Sequence, residues 1–448
     1  MNVGKPLNLH IVSLGCAKNL VDSEVMGGLA RKAGIVLTDQ ITQADFVLVN
    51  TCAFINPAKE ESIETILSIA REKQRQGLNF KLVVAGCLAQ RYGRQLLRDL
   101  PEVDLFIGTG EVGRVVRHLQ TLAAGPKRVA VVSKPDFLMT SDHERILPEG
   151  ALSANLKIAD GCSNRCAYCA IPDIRGPARS REPEDILREA QSLAKRGIKE
   201  LLIIGQDTSA YGRDLKSRPS LSGLLEELAS IDGIRWIRLL YSHPAHLSAE
   251  TLSVMARRDK ICRYIDLPVQ HIDDTLLAAM NRRADADQIR SVISQARVMM
   301  PDVALRTSLI VGFPGETPKR FERLIAFVRE TKFDHLGVFT YSREEGTAAA
   351  AMPSRISEKE KERRRDIVMN EQAEISLAIN RTLIGSTQEV LIEGKSDRPD
   401  YVYMGRCRRQ APEIDGVTYL AHSSLKIGDL VHCVITNADH YDLFADLR

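Results

Sequence analysis

The sequence predicts an α/β protein in three parts: an N-terminal open parallel α/β sheet domain, a central partial (β/α)6 barrel and a C-terminal small antiparallel β-barrel of OB-like type. Three observations predict this. In the first third, short β-rich runs are each followed by a helical pattern, as in a parallel sheet. From Leu156, strand and helix alternate six times, fewer than the eight units of a complete barrel. After about residue 380 the helical period stops, and short strand patterns between turns remain.

The predicted domain boundaries follow from these patterns. The domains are 1–140, 141–380 and 381–448, and the polar segment 134–150, with two prolines and no period, predicts a linker at the first boundary. The central strands are predicted at Leu156–Ala159, Glu200–Ile204, Trp236–Tyr241, Tyr264–Pro268, Ala304–Val311 and His335–Tyr341. The C-terminal strands are predicted at Glu389–Ile392, Tyr401–Met404, Val417–Leu420 and Leu430–Ile435.

The composition is that of an ordinary globular protein. The 448 residues are 44% hydrophobic and 27% charged, and a net charge of +3 is too small to indicate nucleic-acid or membrane binding by itself. Residues 1–15 lack the features of a signal peptide, and no apolar run approaches the about 20 residues of a membrane helix. We therefore expect a cytoplasmic protein with no membrane partner. Its nine cysteines are then more often metal-binding or catalytic than disulfide-bonded.

Three cysteines of the first domain share one structural position. Cys16, Cys52 and Cys87, here called the N-terminal cysteines, each stand in the turn directly after a predicted strand. Because the carboxyl ends of parallel strands line one edge of a sheet, where ligands bind, these thiols are expected to meet in space and hold a cluster. Three unrelated buried cysteines are the alternative, since free cysteine is among the most buried residue types.

Three more cysteines form a motif in the central barrel. Cys162, Cys166 and Cys169, here called the barrel-loop cysteines, lie in the loop after the first barrel strand, where barrel active sites collect. Iron–sulfur clusters are usually held by four thiolates, so a loop with three predicts a cluster with one iron open to another ligand. A structural zinc knuckle is the alternative, but zinc prefers four ligands and no fourth Cys or His is nearby in the sequence.

This loop resembles the signature of the radical S-adenosylmethionine (SAM) superfamily, in which the open iron binds the amino and carboxylate groups of SAM. An aromatic residue precedes the last cysteine of that signature, as Tyr168 does here. The resemblance also implies SAM contacts from strand-end residues, and Gly205, Gln206 and Gly312 stand at such positions. Ordinary turn chemistry explains these three equally well. No catalytic group beyond the cluster ligands is assigned.

Three arginines follow the cysteine loop closely. Arg175, Arg179 and Arg181 could counter the charge of a cluster or a substrate. A solvated basic loop is an equally good interpretation, and the sequence alone leaves the two open.

The C-terminal module has an acidic balance. Between residues 386 and 448 there are seven lysines and arginines and ten aspartates and glutamates, a net charge of −3. OB-like barrels often bind RNA, but nucleic-acid affinity comes chiefly from cations that contact phosphates. An acidic surface is better suited to a basic protein partner. We therefore do not expect direct nucleic-acid binding to dominate.

Over essentially the whole chain, the sequence resembles the radical SAM methylthiotransferases. The resemblance lies in the order of its parts, which are a three-cysteine α/β domain, a CxxxCxxC barrel and a small β-barrel like the TRAM domain. Segments Ser13–Asn19, Gln206–Gly212 and Arg409–Gly416 resemble the branch that modifies an aspartate of small-subunit ribosomal protein 12. The branch that modifies an adenosine derivative in tRNA usually has Gln-Met between the Cys and the Asn of the first segment. This chain has Ala17 and Lys18 there.

The resemblance implies two 4Fe-4S clusters and two SAM molecules per turnover. At the barrel-loop cysteines, one electron cleaves SAM to methionine and a 5′-deoxyadenosyl radical, which removes hydrogen from the β-carbon of the target aspartate. At the N-terminal cysteines, a bound sulfur is methylated by a second SAM and captured by the carbon radical. The implied partners are ribosomal protein 12 or the small ribosomal subunit, and an electron donor such as a flavodoxin or ferredoxin.

Two other functions stay open. A tRNA (N6-isopentenyladenosine-C2) methylthiotransferase would share the chemistry, but the acidic C-terminal module argues against it. A non-catalytic iron–sulfur or RNA-binding factor would suit the TRAM-like module. A carrier of that kind has no need of a six-unit barrel.

Overall fold

The N-terminal domain is one open parallel sheet covered by helices. The computed structural model describes residues 6–125, 128–353, 356–422 and 424–448; residues 1–5, part of the segment considered for a signal peptide, lie outside it. The strands are β1 Asn8–Ser13, β2 Val36–Leu37, β3 Phe46–Thr51, β4 Lys81–Gly86, β5 Leu105–Ile107 and β6 Val129–Val131. The helices are α1 Ala17–Lys32, α2 Asn56–Arg75, α3 Cys87–Asp99 and α4 Val115–Ala124.

The strand order of this sheet is β2-β1-β3-β4-β5-β6, and every pair is parallel. All six residues of β3 are buried, as expected of a strand covered by helices on both faces. Because β1, β3 and β4 are neighbours, their carboxyl ends open onto the same edge of the sheet. The predicted βα rhythm is therefore confirmed, and it positions the three turns that carry the N-terminal cysteines.

The central domain is a partial barrel of six parallel strands. Its strands and one short hairpin-like pair are β7 Ser153–Lys157, β8 Ala159–Asp160, β9 Arg179–Ser180, β10 Glu200–Ile204, β11 Trp236–Leu239, β12 Tyr264–Asp266, β13 Ala304–Val311 and β14 His335–Thr340. Strands β7, β10 and β11 form one half, and β12, β13 and β14 form the other. A parallel bridge between Ile237 and Ile261 joins the halves, and the N–H of Ser242 donates to the carbonyl of Asp266 at 3.0 Å.

The helices of the central domain lie between the strands and on their outer side. They are α5 Ile171–Arg175, α6 Pro183–Lys195, α7 Leu221–Ala229, α8 Ala249–Arg257, α9 Asp274–Ala279, α10 Ala286–Met299, α11 Pro318–Thr331 and the connecting α12 Glu358–Thr382. Short 3-10 turns occupy Ile41–Gln43, Thr109–Arg114, Thr208–Ala210 and Ala348–Ala351. The buried faces of these helices and the outer faces of the strands, for example Leu201 and Ile203 of β10, form one large apolar core.

Several strand bounds of the barrel differ from the sequence-based prediction. Strands β12 and β14 end at Asp266 and Thr340, short of the predicted ends, and two other departures have a visible cause. The first strand was expected at Leu156–Ala159, but β7 ends at Lys157 and β8 pairs antiparallel with β9 instead of continuing the barrel. The second is that β11 ends at Leu239, because Tyr241 has a left-handed backbone with φ of +59°. Both departures occur at the carboxyl end of the barrel, where the cysteine loop lies.

The C-terminal barrel is closed by five strands. They are β15 Thr387–Lys395, β16 Tyr403–Cys407, β17 Thr418–Leu420, β18 Leu430–Ala438 and β19 Leu443–Leu447. Their order around the barrel is β15-β16-β17-β19-β18, and four of the five pairings are antiparallel, whereas β17 and β19 run parallel. The last strand, β19, was not among the predicted strands. It closes the barrel, and a closed barrel has no exposed sheet edge.

The C-terminal barrel docks against the amino ends of the central strands. Trp236 donates its indole N–H to Glu389 at 2.8 Å, and Tyr264 donates its hydroxyl to Asp415 at 2.6 Å. The backbone of Arg409 is 2.8 Å from Nε2 of His335, the first residue of β14. The C-terminal barrel therefore lies at the end of the central barrel opposite to the cysteine loop. In the described parts of the chain, every helix is too short or too polar to span a lipid bilayer.

Candidate active site

The N-terminal cysteines lie together at the carboxyl edge of the first sheet. Cys16 immediately precedes α1, Cys52 follows β3, and Cys87 is the first residue of α3. The turn before Cys16 approaches Cys52 so closely that a Cβ on Gly15, which has φ of +86°, would be 2.7 Å from the Cβ of Cys52. Only glycine allows this approach. The strand-end argument thus brings the three thiols to one edge, as the sequence predicted.

The three N-terminal cysteines differ in the pKa of their thiols. Burial raises the pKa of Cys87 to about 12 and also raises the pKa of Cys52. Burial acts in the same direction on Cys16, but the positive charges of Lys18 and Arg175 hold the pKa of that thiol below its ordinary value. A thiol with a lowered pKa supplies the thiolate that a metal needs.

The barrel-loop cysteines form a compact turn of their own. The loop is held at both ends, since β8 pairs with β9 and the N–H of Cys162 donates to the carbonyl of Gly176 at 3.0 Å. Within the turn, Cys169 donates its N–H to the carbonyl of Cys166 at 3.0 Å. Burial raises the pKa of Cys162 to about 11 and of Cys169 to about 12, and the neighbouring thiols add to both shifts.

Both sets of thiols offer the donor chemistry of an iron–sulfur cluster. Among the described residues, no three or more His, Cys, Asp or Glu side chains are arranged to hold one metal ion. A 4Fe-4S cluster offers a separate iron to each thiolate, so its ligands surround the cluster and need not converge on one point. The raised pKa values of Cys52, Cys87, Cys162 and Cys169 favour the neutral thiol, so a metal must displace the proton to bind there. The donor chemistry of each set therefore fits a cluster.

One of the predicted SAM contacts, Gln206, has a feature that fits a ligand. Gln206 donates its amide to Asp160 at 3.0 Å, which points the amide toward the cysteine loop, and its Oε1 is buried with no hydrogen-bond partner among the described residues. A buried acceptor of this kind calls for a donor that the protein does not supply. Tyr168 is partly buried within the turn, where burial and the neighbouring thiols of Cys166 and Cys169 raise its pKa well above the usual range.

The two predicted glycines have different surroundings. Gly205 lies beside Ala159, with space for a Cβ at ordinary contact distance. Gly312 has φ of +76°, and a Cβ there would be 2.3 Å from the side chain of Lys361 in α12. Its N–H donates to Glu316. The close approach of α12 accounts for glycine at position 312, and a SAM contact at either glycine stays a prediction.

Asp207, the residue after Gln206, fixes the cysteine loop from the next strand end. It accepts a hydrogen bond from Asn164 of the loop at 2.6 Å, and its carboxylate is 2.7 Å from Nδ1 of His246. Burial acts to raise the pKa of Asp207, but the hydrogen bond and charge of His246 bring it down to about 2. The carboxylate is therefore a permanent anchor for the loop.

An ion-pair network, here called the bridge, connects the two cysteine sets. It consists of Asp22, Lys157, Asp160 and Arg175, all buried. Lys157 is 2.6 Å from Asp22 and 3.1 Å from Asp160, and Arg175 is 2.8 and 3.1 Å from the same two carboxylates. Arg175 also lies 3.7 Å from the thiol of Cys87. The bridge ties α1 of the first domain to the cysteine loop of the second.

Sequence reasoning missed most of the bridge. Lys157 and Asp160 stand in the first barrel strand and just after it, without any spacing that indicates an ion pair. For the three arginines after the loop, the solvated-loop interpretation is wrong at Arg175 and Arg181, which are buried. Arg181 pairs with Asp185 at 2.7 Å and also with Glu189. No feature of the sequence distinguishes Arg175 from a solvated arginine, because its partners Asp22 and Asp160 become neighbours only in the fold.

Comparison with known proteins agrees with this arrangement. Residues 8–108 match the family described as uncharacterized protein family UPF0004, residues 156–328 match the radical SAM superfamily, and residues 384–447 match the TRAM domain. A structure of the radical S-adenosylmethionine methyltransferase TsrM from Kitasatospora setae, with cobalamin and a 4Fe-4S cluster bound, covers 88% of this chain and 82% of its own with a TM-score of 0.59. At 15% identity that likeness concerns the fold alone. Fold and family matches define a radical SAM enzyme, a class that works with a 4Fe-4S cluster and SAM.

Similarity to curated proteins is much closer. The ribosomal protein uS12 methylthiotransferase RimO of Syntrophus aciditrophicus is 55% identical over 445 residues, which is 98% of each chain. The protein of the same name from Geobacter sulfurreducens is 47% identical over 439 residues, again 98% of each chain. The chain belongs to the RimO family of methylthiotransferases.

Proposed function

We propose that this protein transfers a methylthio group to the β-carbon of an aspartate in ribosomal protein uS12. The observation that carries the proposal is the pair of thiol sets, Cys16, Cys52 and Cys87 on one side of the bridge and Cys162, Cys166 and Cys169 on the other. Sulfur insertion at an unactivated carbon needs a radical and a sulfur donor close to each other. Two separate cluster sites on facing domains provide for both requirements.

Each thiol set is proposed to hold one 4Fe-4S cluster. When bound, the barrel-loop cluster supplies the electron that cleaves SAM homolytically, and the N-terminal cluster supplies an open iron for sulfur. The protein itself orients and shields the bound groups. Asp207 anchors the cysteine loop, the bridge fixes the distance between the two sets, and Gln206 offers an unpaired acceptor for SAM. Two SAM molecules per turnover are proposed, one for the radical and one for the methyl group.

The relatives' name supports uS12 as the substrate and argues against the tRNA alternative. Residues of the C-terminal barrel support a basic partner as well. Its arginines 406, 408 and 409 all face the central domain, where Arg406 pairs with Glu200 and Arg408 lies 5.6 Å from the Trp236 ring. The exposed charges that remain are mostly acidic: Asp397, Asp400, Glu413, Asp439 and Asp446, against Lys395, Lys426 and Arg448. A reductant such as a flavodoxin or ferredoxin and action in the cytoplasm, where ribosomes are made, complete the proposal.

Purified, reconstituted protein tests this proposal through the two cysteine sets. With uS12, SAM and a reductant, we expect a gain of one methylthio group on uS12 by intact-mass analysis. Cys162→Ala should abolish 5′-deoxyadenosine formation, because the radical cannot be generated. Cys16→Ala should still form 5′-deoxyadenosine but give no methylthiolated uS12. Each variant should lose about four iron atoms, the content of one cluster.

Cys433→Ala provides the matched control. Cys433 is a buried thiol of the C-terminal barrel, far along the chain from both sets, and its loss should leave iron content and product formation unchanged. Methylthiolated product from the Cys16 variant would contradict the second cluster. Methylthio-adenosine in tRNA, with unmodified uS12, would instead favour the tRNA alternative.

A further inference from the structure

Lys18 is a buried cation in an unfavourable position. It is the second residue of α1, two positions after Cys16, and only 7% of its surface is exposed. The N-terminus of a helix carries partial positive charge, so a lysine in the first turn is disfavoured, by about 0.3–1 kcal/mol at an exposed site. Burial adds a desolvation cost for the ammonium group. A residue held there against both effects needs a compensating partner.

The protein does not supply a carboxylate to Lys18. Among the residues that the structure describes, Lys18 forms no ion pair, whereas the neighbouring Lys157 and Arg175 each pair with both Asp22 and Asp160. The contact that Lys18 does make is with an aromatic ring: its Nζ is 3.4 Å from the centroid of Tyr241. A cation–π contact offsets part of the desolvation cost, but the ring carries no full negative charge.

Tyr241 comes from the other domain and is held rigidly. It lies just beyond the carboxyl end of β11 with φ of +59°, a conformation that is strained for a residue other than glycine. Its N–H donates to Asp266 at 2.9 Å, and its carbonyl accepts from the N–H of Thr208 at 3.0 Å. Lys18 therefore lies where the domain of the N-terminal cysteines meets the active end of the barrel. The substrate carbon that reacts first with the radical and then with the sulfur must occupy the same region.

We propose that Lys18 binds the side-chain carboxylate of the target aspartate. The inference rests on the proposed function, whose substrate is an anion. An ion pair to the carboxylate fixes the adjacent β-carbon one bond away, beside Cys16 and its cluster. The bridge cannot do this, because its cations are neutralised by Asp22 and Asp160. Lys18 is the cation at this junction that pairs with no carboxylate of the described residues.

The experiment compares reconstituted wild-type protein with Lys18→Met and Lys18→Arg. Two short uS12 peptides are used, one with the target aspartate and one with asparagine in its place, and their affinities are measured by fluorescence anisotropy. Wild type should bind the aspartate peptide at least tenfold more tightly, because only the carboxylate pairs with the ammonium. Lys18→Met should bind both equally and methylthiolate uS12 about 100-fold more slowly, a loss typical of an unpaired buried charge. Lys18→Arg should restore part of the preference.

Two further measurements separate this role from other roles of Lys18. Lys18→Met should keep the iron content of wild type, because Arg175 remains beside the Cys16 thiolate, and it should keep the substrate-free formation of 5′-deoxyadenosine. Lys32→Met, at the exposed end of the same helix, is the matched control and should behave as wild type. Loss of iron from Lys18→Met would overturn the proposal, and so would an unchanged preference for aspartate. If wild type itself leaves uS12 unmodified, the proposed function fails, and the assignment of Lys18 fails with it.

Discussion

Glu200 is a carboxylate enclosed between two arginines of different domains. Arg238 of β11 donates to it at 2.8 Å, and Arg406 of the C-terminal barrel pairs with its other oxygen. All three side chains are buried. Burial acts to raise the pKa of Glu200, but the charges of Arg406 and Arg238 bring it down to about 2 from an ordinary value of 4.5. This ion pair of Glu200 with two arginines therefore makes the docking of the C-terminal barrel depend on pH.

The sign of this linkage gives a prediction. Because the pKa is depressed in the folded protein, the contribution of Glu200 is fully present above pH 4.5 and is lost as pH falls toward 2. We expect the urea midpoint to fall over that range, followed by fluorescence of Trp236, the single tryptophan, which lies at this interface. Glu200→Gln should lower stability at pH 7 by about 3 kcal/mol, because a buried guanidinium loses its counter-charge.

Glu226→Gln is the control for this effect. Glu226 also pairs with two arginines, Arg257 and Arg258, but both are more than half exposed. Exposed ion pairs contribute little, so this variant should keep the wild-type midpoint and its pH dependence. Equal losses in the two variants would mean that burial of Glu200 does not matter.

At the scale of single residues, sequence could identify the cysteines but not the charges around them. Cys16, Cys52 and Cys87 are recognisable because a strand end is a position that the chain pattern predicts. Lys18 and Arg175 carry no such mark. A charged residue is usually at the surface, and only the packing of one domain on another reveals that these two are buried.

Among the elements, the connection between the first two domains is firmly attached to α1. Arg145 of the predicted linker is buried and pairs with Glu24 of α1 and Glu189 of α6. The N–H of Ile146 donates to the carbonyl of Glu24 at 3.1 Å. Polar composition and two prolines correctly predicted an absence of helix or strand there. They could not show that the segment is packed, because its partners are distant in the sequence.

Gly28 of α1 marks the closest contact of that connection. A Cβ at this position would be 1.8 Å from the backbone oxygen of Glu144. Alanine normally favours a helix over glycine by about 1 kcal/mol. Here we expect Gly28→Ala to destabilise the protein, since overpacking costs about 1–3 kcal/mol and the obstacle is backbone. Thermal unfolding would measure the change.

Gly27→Ala is the matched comparison one position earlier. Its added Cβ would meet only side-chain atoms, the nearest 3.3 Å away on Ile146, which can move. This variant should therefore lose less stability than Gly28→Ala. A stabilising effect at both positions would show that the connection is not held against α1 as described.

For the molecule as a whole, the two ends of the central barrel have separate tasks. Both cysteine sets gather at the carboxyl ends of its strands, and the C-terminal barrel covers the amino ends through Glu200, Trp236 and Tyr264. Sequence predicted the three modules and the order in which they follow. It could not give this placement, because the docking surfaces consist of single residues at strand starts. An acidic C-terminal barrel can therefore contact a large partner only away from the site of chemistry.

This separation predicts different responses from large and small substrates. Asp400→Lys with Asp397→Lys reverses two exposed charges of the C-terminal barrel. We expect weaker binding of full-length uS12, with a smaller dependence on salt, because fewer cations of the partner find a counter-charge. A short peptide around the target aspartate should bind and react as with wild type, since it does not reach the C-terminal barrel.

Glu322→Lys with Glu330→Lys makes the same change of net charge on α11 and should leave both substrates unaffected. Equal weakening by the two double variants would mean that net charge alone steers uS12. If instead the C-terminal variant impaired the peptide and the full-length protein equally, the C-terminal barrel would act on the catalytic site itself. Its contacts at the amino ends of the strands would then have to transmit that effect along the central barrel, and the Glu200→Gln variant should produce the same impairment.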